Sequence, residues 1–487
     1  MTARVAARCA GWLAWIVPFA IYAASLDRSV GYWDTGEMQV VPWILGIAHP
    51  TGFPLFTLLG WVFAHVVAIG PVSARIALFS ALAMTLAAWL VARVVTMLAD
   101  DPWMGMASAW LFAFGAVAWT RGTRAEVHAL ATLLAALTLL FAVRWYRTGE
   151  TRSLALGALA WGLGIATHPI VAMLLPALCV LFAARVRTVS FRAVGFALAL
   201  LVAGVAVYAY LPLRSAYVTH ARLDPTLQLG LPPGKPFWDN DHPATLAGFL
   251  TLVSGSDFDA GGTLGRMFAP QLYRDVGPKY LRALLSEFTP LGVFLVIVGF
   301  IVLVCRDRWL GSALFLAGFV PSAFALSFSV EADPLRYYLI SYVVAAIFAG
   351  YGAAWLGRLL SRVPIAGIVV VAATSVALLI VNRNVFQQRN STGAQSVIAT
   401  VRTQTPGNAI LIAPWLYATP LAYAAYVDRD LGDRIVETAW LQDDAARVPQ
   451  WLRGRPVYVV GIVFGSVPGY HLQYVAGSPA LYRVVKN

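Results

Sequence analysis

Long apolar runs dominate the chain. They fall at about 9–26, 74–98, 103–119, 127–143, 153–167, 170–184, 192–213, 288–304, 309–329, 337–356 and 363–381, separated by stretches that carry most of the charge. A helix of roughly 20 apolar residues crosses about 30 Å of hydrocarbon. The pattern therefore predicts an all-α polytopic membrane protein with about eleven transmembrane helices. The run from Phe53 to Ile69 is also apolar, but it is short, opens at Pro54 and ends at Gly70-Pro71. Beyond residue 381 the periodicity changes. Ala409–Ala413 and Pro456–Gly461 read as buried strands, and Trp415–Val427 as a helix after the first of them. Residues 1–381 are thus expected to form a membrane domain, and 382–487 a small C-terminal α/β domain.

Charge decides how the short run is read. If Phe53–Ile69 crossed the membrane, Arg144, Arg147, Arg152, Arg185, Arg187, Arg192, Arg306 and Arg308 would all face outward. If it lies along the outer surface as a juxtamembrane helix, these residues fall inside together with Arg4, Arg8, Arg358 and Arg362. Short inner loops carry the excess of Lys and Arg, so the second arrangement is expected, with the N-terminus inside and the C-terminus outside. The first outer loop is then 27–73 and the long outer loop 214–287, rich in Pro, Gly and Asp, with a short helix near 244–253.

Composition agrees with a membrane chain. Of 487 residues only 12% are charged, against about a quarter in soluble domains, and the mean hydropathy is +0.72. The net charge of +12 does not indicate nucleic acid, because the Arg residues sit in short loops where anionic lipid explains them. Cys9, Cys179 and Cys305 are scattered and form neither a disulfide framework nor a metal-binding spacing. Arg4 and Arg8 before an apolar run resemble a signal peptide, but the lack of an A-x-A-like cleavage site favours an uncleaved first span. No P-loop, dinucleotide fingerprint or nucleophile elbow is present.

The topology gathers the polar residues of interest on the outer face. Asp34 and Glu37, three residues apart, would share one side of a helical turn. One carboxylate could act as general base while the other orients it. The same spacing fits a helix N-terminus with Asp34 as N-cap and Glu37 at the third helical position. Gly36 between them would permit close approach of a substrate. His49-Pro50 reads either as a plain turn or as a contact to a phosphate or sugar. Arg121, Arg124, Glu126 and His128 begin a helix, and an ionisable group at the edge of a span is a functional candidate; for Arg121 interfacial snorkelling is the expected role. His168 fits a capped helix end equally well. Arg214, and Arg336 near Glu331 and Asp333, are candidates for holding a phosphate or for pairing outer loops.

The run Asp34-Thr35-Gly36-Glu37 … Leu45-Gly46-Ile47-Ala48-His49-Pro50-Thr51-Gly52-Phe53-Pro54-Leu55 resembles the D-[ST]-G-E … LG-x-x-HPPG-[YF]-PL signature of glycosyltransferase family 117, the protein O-mannosyltransferase-like membrane proteins formerly filed as a domain of unknown function. Glu126-Val127-His128-Ala129-Leu130, Tyr210-Leu211-Pro212-Leu213-Arg214 and Asn240…Pro243…Thr245 resemble further family motifs. Thr51 replaces the second Pro of the signature, Phe53 its usual Tyr, and Asp241 the Trp expected after the Asn.

The resemblance implies a GT-C fold with juxtamembrane helices in the first outer loop, and a sugar taken from a polyprenyl-phosphate donor without a cofactor or metal. Asp34 and Glu37 are then the expected catalytic residues. His49, Arg124, Glu126, His128, His168, Arg214 and Arg336 are expected to bind substrate or donor phosphate. The expected reaction is inverting transfer of mannose or another hexose to Ser/Thr of exported proteins, on the periplasmic face of a bacterial inner membrane. The alternatives are a lipid or cell-envelope glycan as acceptor, and, outside this class, a lipid transporter or flippase, which would carry mid-membrane charges and repeat symmetry, whereas the spans show few such charges and no evident repeat.

Overall fold

The structure, a computed structural model, describes residues 3–328, 334–360 and 365–487. Glu331, Asp333 and Arg362 lie outside the described residues. In chain order, α1 (Ala3–Ala24) is followed by α2 (Trp33–Ile44), α3 (Pro54–Val66) and α4 (Val72–Ala99). Next come α5 (Pro102–Ala113), α6 (Ala116–Gly122), α7 (Val127–Thr148) and α8 (Thr151–Ile165). A 3₁₀ turn at Pro169–Leu174 leads to α9 (Leu175–Arg185), α10 (Phe191–Val205), α11 (Tyr210–His220), α12 (Leu246–Ser254) and α13 (Ala260–Arg266). The long α14 (Pro270–Arg306), α15 (Arg308–Ser327), α16 (Leu339–Leu359) and α17 (Ala366–Val381) complete the apolar series, and α18 (Gly393–Gln404) and α19 (Trp415–Ala422) follow.

Each predicted apolar run falls on helix, but the count of eleven spans is not reached. Among the described residues, eight helices are long and apolar enough to cross a membrane, or nine if the bent pair Ala366–Val381 and Arg383–Gln404 is one span. The shortfall has a physical cause. The run 103–119 breaks at Gly115 into helices of 12 and 7 residues, and α8 and α17 have only 15 and 16. At 1.5 Å per residue these fall short of roughly 30 Å. The same arithmetic bears on Phe53–Ile69: α3 has 13 residues, about 20 Å of helix, too little to span. The long loop is also more helical than its composition implied. The helical path of α14 begins at Pro270 and is interrupted at Thr289 (φ 63°, ψ 165°), directly before Pro290, so the expected span start at 288 marks a proline kink.

Two compact units are formed: Met1–Leu26, Ser80–Tyr208 and Ser256–Gln388 make the first, and Asp27–Phe79, Ala209–Gly255 and Arg389–Asn487 the second. The first is helical. In its interior, Trp119 stacks on Tyr22 at 6.4 Å and donates its indole N–H to Ser25 Oγ at 2.8 Å.

The second unit is built on a five-stranded sheet of β1 (Ile410–Ala413), β2 (Ile435–Thr438), β3 (Val457–Val460), β4 (Tyr470–Gly477) and β5 (Ala480–Lys486). Their order is β2-β1-β3-β5-β4; β1 lies parallel to β2 and β3, whereas β5 is antiparallel to both β3 and β4. The short apolar strands ILIA and VYVV are buried along their whole length, as expected of parallel strands covered on both faces. Leu229 and Leu231 from the 209–255 segment join this core, and Trp451 donates its indole N–H to the Leu229 carbonyl at 2.9 Å. Lys235 of the same segment pairs with Glu437 of β2 at 2.6 Å. Burial outweighs this pairing and pushes the Glu437 carboxyl up to about 7.

Candidate active site

In the second unit, α2 carries Asp34 and Glu37 of the first loop. Its N-cap is Tyr32, which makes no side-chain capping bond. Asp34 is therefore the second residue of the helix and Glu37 the fifth, and the capping alternative is set aside. Asp34 lies in the first turn, where the helix dipole favours a carboxylate. It is partly exposed and accepts the Trp415 indole N–H at 3.4 Å. Glu37 is fully buried. One of its oxygens accepts the His49 backbone N–H at 2.7 Å, and the other is paired with His49 Nδ1. The His49-Pro50 turn is thus held back onto α2 by Glu37, and the His49 ring stands edge-on to Phe53 at 5.0 Å and to Trp415 at 6.2 Å. A buried carboxylate on Nδ1 fixes the orientation of the ring.

Arg214 of α11 has a role that sequence did not indicate. Its Nε and Nη2 donate to the carbonyls of Leu45 (2.6 Å) and Ile44 (2.9 Å) at the end of α2, and Tyr210 Oη donates to Leu45 at 2.6 Å. The Tyr210–Arg214 motif therefore satisfies carbonyls that a helix end leaves without intrahelical partners. The Asn240–Thr245 motif likewise has a local function: Thr245 caps α12 by accepting the Gly248 N–H at 3.1 Å.

Gly36 also proves to be a packing residue. A Cβ there would lie 2.5 Å from the Gly31 carbonyl oxygen and 2.9 Å from Thr419 on α19. The glycine that suggested space for a substrate instead lets α19 rest against α2. Gly36→Ala is expected to cost roughly 1–3 kcal/mol through this overpacking, read as a lowered midpoint in thermal unfolding of the detergent-solubilised protein.

The first unit holds a second cluster. Glu126 is the N-cap of α7 and accepts the His128 N–H. Its carboxylate meets His128 Nδ1 at 2.8 Å, Arg121 Nη1 at 3.4 Å and Arg124 Nη2 at 3.8 Å. Burial pushes the Glu126 carboxyl up, but His128, Arg121 and Arg336 together hold it well below the usual carboxylate range. Arg121 is buried in this pairing rather than snorkelling to an interface. His128 packs on His168 at 4.5 Å and edge-on to Tyr337 at 4.9 Å, and the Arg336 guanidinium lies 5.5 Å from the Tyr337 ring. His168 caps the 3₁₀ turn by accepting the Ile170 N–H at 3.1 Å, the helix-end role considered from sequence. Three guanidiniums act on one carboxylate, and Arg124 Nε and His128 Nε2 are buried without a hydrogen-bond partner among the described residues. That imbalance suits an anion with several acceptor oxygens.

Two further residues were not singled out from sequence. In the sequence, Trp415 reads only as part of a helix. Glu287, buried in α14, accepts the N–H groups of Val117 (2.8 Å) and Ala118 (3.1 Å) where α5 breaks into α6. An acid at the edge of an apolar run was the available signal for Glu287; nothing local marked Trp415.

Among the described residues, Asp34, Glu37 and His49 also form the group of His, Cys, Asp or Glu side chains with ligand atoms all within 4.8 Å of one another, close enough to hold a metal ion. Both Glu37 oxygens are already engaged by His49.

Residues 34–190 match the Protein O-mannosyl-transferase TMEM260 N-terminal domain. The chain is 28% identical over 368 residues to Protein O-mannosyl-transferase TMEM260 of Mus musculus, covering 71% of this chain and 49% of the mouse protein. It is 31% identical over 128 residues to the Dictyostelium discoideum protein of the same name, covering 26% of this chain and 16% of that one. The chain thus spans about half the length of the mouse relative and less of the other. Among solved structures, the Archaeoglobus fulgidus oligosaccharyltransferase in its apo form has a TM-score of 0.54 at 11% identity, over 97% of this chain and 74% of that chain. Apo ArnT from Cupriavidus metallidurans has a TM-score of 0.55 at 13% identity, over 96% and 97%. ArnT bound to undecaprenyl phosphate has a TM-score of 0.50 at 12% identity, over 96% of each chain. The chain therefore has the GT-C fold of these membrane enzymes, with a small C-terminal sheet domain, and resembles the protein O-mannosyltransferases in sequence.

Proposed function

We propose that this multi-pass membrane protein is an inverting glycosyltransferase. It moves mannose or another hexose from a polyprenyl-phosphate donor to a hydroxyl acceptor, Ser/Thr of exported proteins, on the periplasmic face of a bacterial inner membrane. The observation that carries this reading is the arrangement at α2: a partly exposed Asp34 beside a buried Glu37 paired with the partly exposed His49, within the segment that matches the O-mannosyl-transferase domain. The named relatives and the undecaprenyl phosphate bound by ArnT support the sugar-transfer class and the lipid-linked donor.

In this reading Asp34 accepts the acceptor's hydroxyl proton as that oxygen attacks the anomeric carbon. The bond from that carbon to the donor phosphate breaks, and its electron pair leaves with the phosphate. That charge needs electrostatic stabilisation more than protonation, and within the first unit the cluster of Arg121, Arg124, Arg336 and His128 has the chemistry to bind an anionic phosphate. Glu37 and His49 act as a unit that holds the turn beside Asp34, and Arg214 holds the far end of the same helix.

The test is transfer by the purified protein from a polyprenyl-phosphate mannose donor to a Ser/Thr-containing peptide, paired with glycoprotein and lipid profiles of a deletion strain. Loss of a glycolipid with unchanged glycoproteins would move the acceptor to a lipid or envelope glycan. Chelation with EDTA is expected to leave the transfer rate unchanged, because Glu37 and His49 satisfy each other. Loss on chelation and recovery with a divalent cation would instead make Asp34, Glu37 and His49 a ligand set.

A further inference from the structure

The C-terminal segment of the second unit reaches the proposed catalytic acid directly. Strand β1 is flanked by parallel β2 on one side and β3 on the other. In open α/β sheets, ligand-binding residues gather where the strand order reverses, beyond the carboxyl ends of the strands. Trp415 stands at that end of β1, as the first residue of α19. Trp415 and Thr419 are one turn apart and share a face of α19. That face meets α2 twice, with Trp415 Nε1 at Asp34 Oδ1 (3.4 Å) and Thr419 against Gly36.

The indole is itself held in place. It stacks on Phe237 at 5.4 Å with an interplanar angle of 1°. Phe237 is buried, and its carbonyl accepts the Ile47 N–H at 3.1 Å, two residues before His49. Gly46 permits this approach, since a Cβ there would lie 1.9 Å from the same carbonyl oxygen. The first loop, the 209–255 segment and the C-terminal segment therefore converge on one side chain, and that side chain touches both Asp34 and His49.

We propose that Trp415 is a positioning residue for Asp34, so that the C-terminal α/β segment is a working part of the catalytic site rather than a cover. The indole N–H fixes the orientation of the carboxylate, while the ring fixes His49 from its edge. This role rests on Asp34 being the general base.

Trp415→Phe keeps the stack on Phe237 and removes the donor. Losing one hydrogen bond to a charged group is expected to lower kcat about tenfold, with KM for donor lipid and for peptide changed by less than about twofold and an unchanged thermal midpoint. Trp415→Tyr, which retains a donor on an aromatic ring, is expected to recover part of the lost kcat and covers the case in which Trp415→Phe folds poorly. A wild-type kcat in Trp415→Phe overturns the proposal. So does a loss in both variants that follows their thermal midpoints, which would make Trp415 a packing residue. Persistent transfer in Asp34→Asn would instead overturn the assignment of the base, and is measured separately.

Discussion

Asp34→Asn abolishes sugar transfer, with an expected loss of about 10²–10⁴-fold from removal of a general base alone. The substitution is nearly isosteric, and Asn retains an oxygen that can accept the Trp415 N–H seen at 3.4 Å. The helix is not disturbed, because Tyr32 rather than Asp34 occupies the N-cap. Thermal stability and affinity for the lipid-linked donor should therefore stay near wild type, and kcat should carry the loss. Single-turnover transfer to a peptide checks this, with unfolding of the same preparation as the control. Full activity in Asp34→Asn would remove Asp34 from the chemistry and turn attention to His49, whose Nδ1 is already held by a buried carboxylate.

Glu126→Ala is expected to damage the fold rather than a rate constant. Glu126 is buried and offsets Arg121, Arg124 and Arg336. Removing one partner of a buried ion pair leaves uncompensated charge and costs roughly 3–5 kcal/mol. It also removes the carboxylate that accepts the His128 N–H at the start of α7. The expected result is a large fall in folded yield and in the thermal midpoint, with Glu126→Gln intermediate because its amide oxygen still accepts hydrogen bonds. Because the carboxyl is held below its ordinary value, its stabilising contribution is present above about pH 4.3 and is lost only as pH falls further. The difference between wild type and variant should therefore be constant from about pH 6 to 8. A Glu126→Ala protein as stable as wild type would show that the guanidiniums do not depend on this carboxylate.

Much of the molecule is legible in the sequence. Apolar periodicity located the helices, since a segment that crosses lipid must satisfy its own backbone and be apolar over its whole length. The buried strands β1 and β3 were visible as short runs of branched aliphatic residues, and the loop helix near 244–253 as α12. Asp34, Glu37, His49, Glu126 and His128 stood out because ionisable groups beside apolar runs need a reason to be there. The count of eleven spans is not confirmed where the apolar runs make shorter helices: Gly115 divides one run, and α8 and α17 have only 15 and 16 residues.

The roles of residues were a different matter. Sequence could say that Asp34 and Glu37 sit close together. It could not say that Glu37 is buried against His49 while Asp34 stays partly exposed. Arg214 looked like a phosphate ligand because any Arg at the end of an apolar run does; only its two bonds to the carbonyls of Ile44 and Leu45 make it the clamp on α2. Gly36 looked like room for a substrate, and its space is filled by Thr419, 383 positions away in the chain. Hydrophobic pattern and charge are read over neighbouring residues, so the sequence alone determined the membrane-spanning class, most of the helices and most of the reactive groups, Glu287 and Trp415 excepted. Which reactive group is buried, which is exposed and which merely holds a backbone depends on contacts between distant segments, and those were decided only when the tertiary structure brought the segments together.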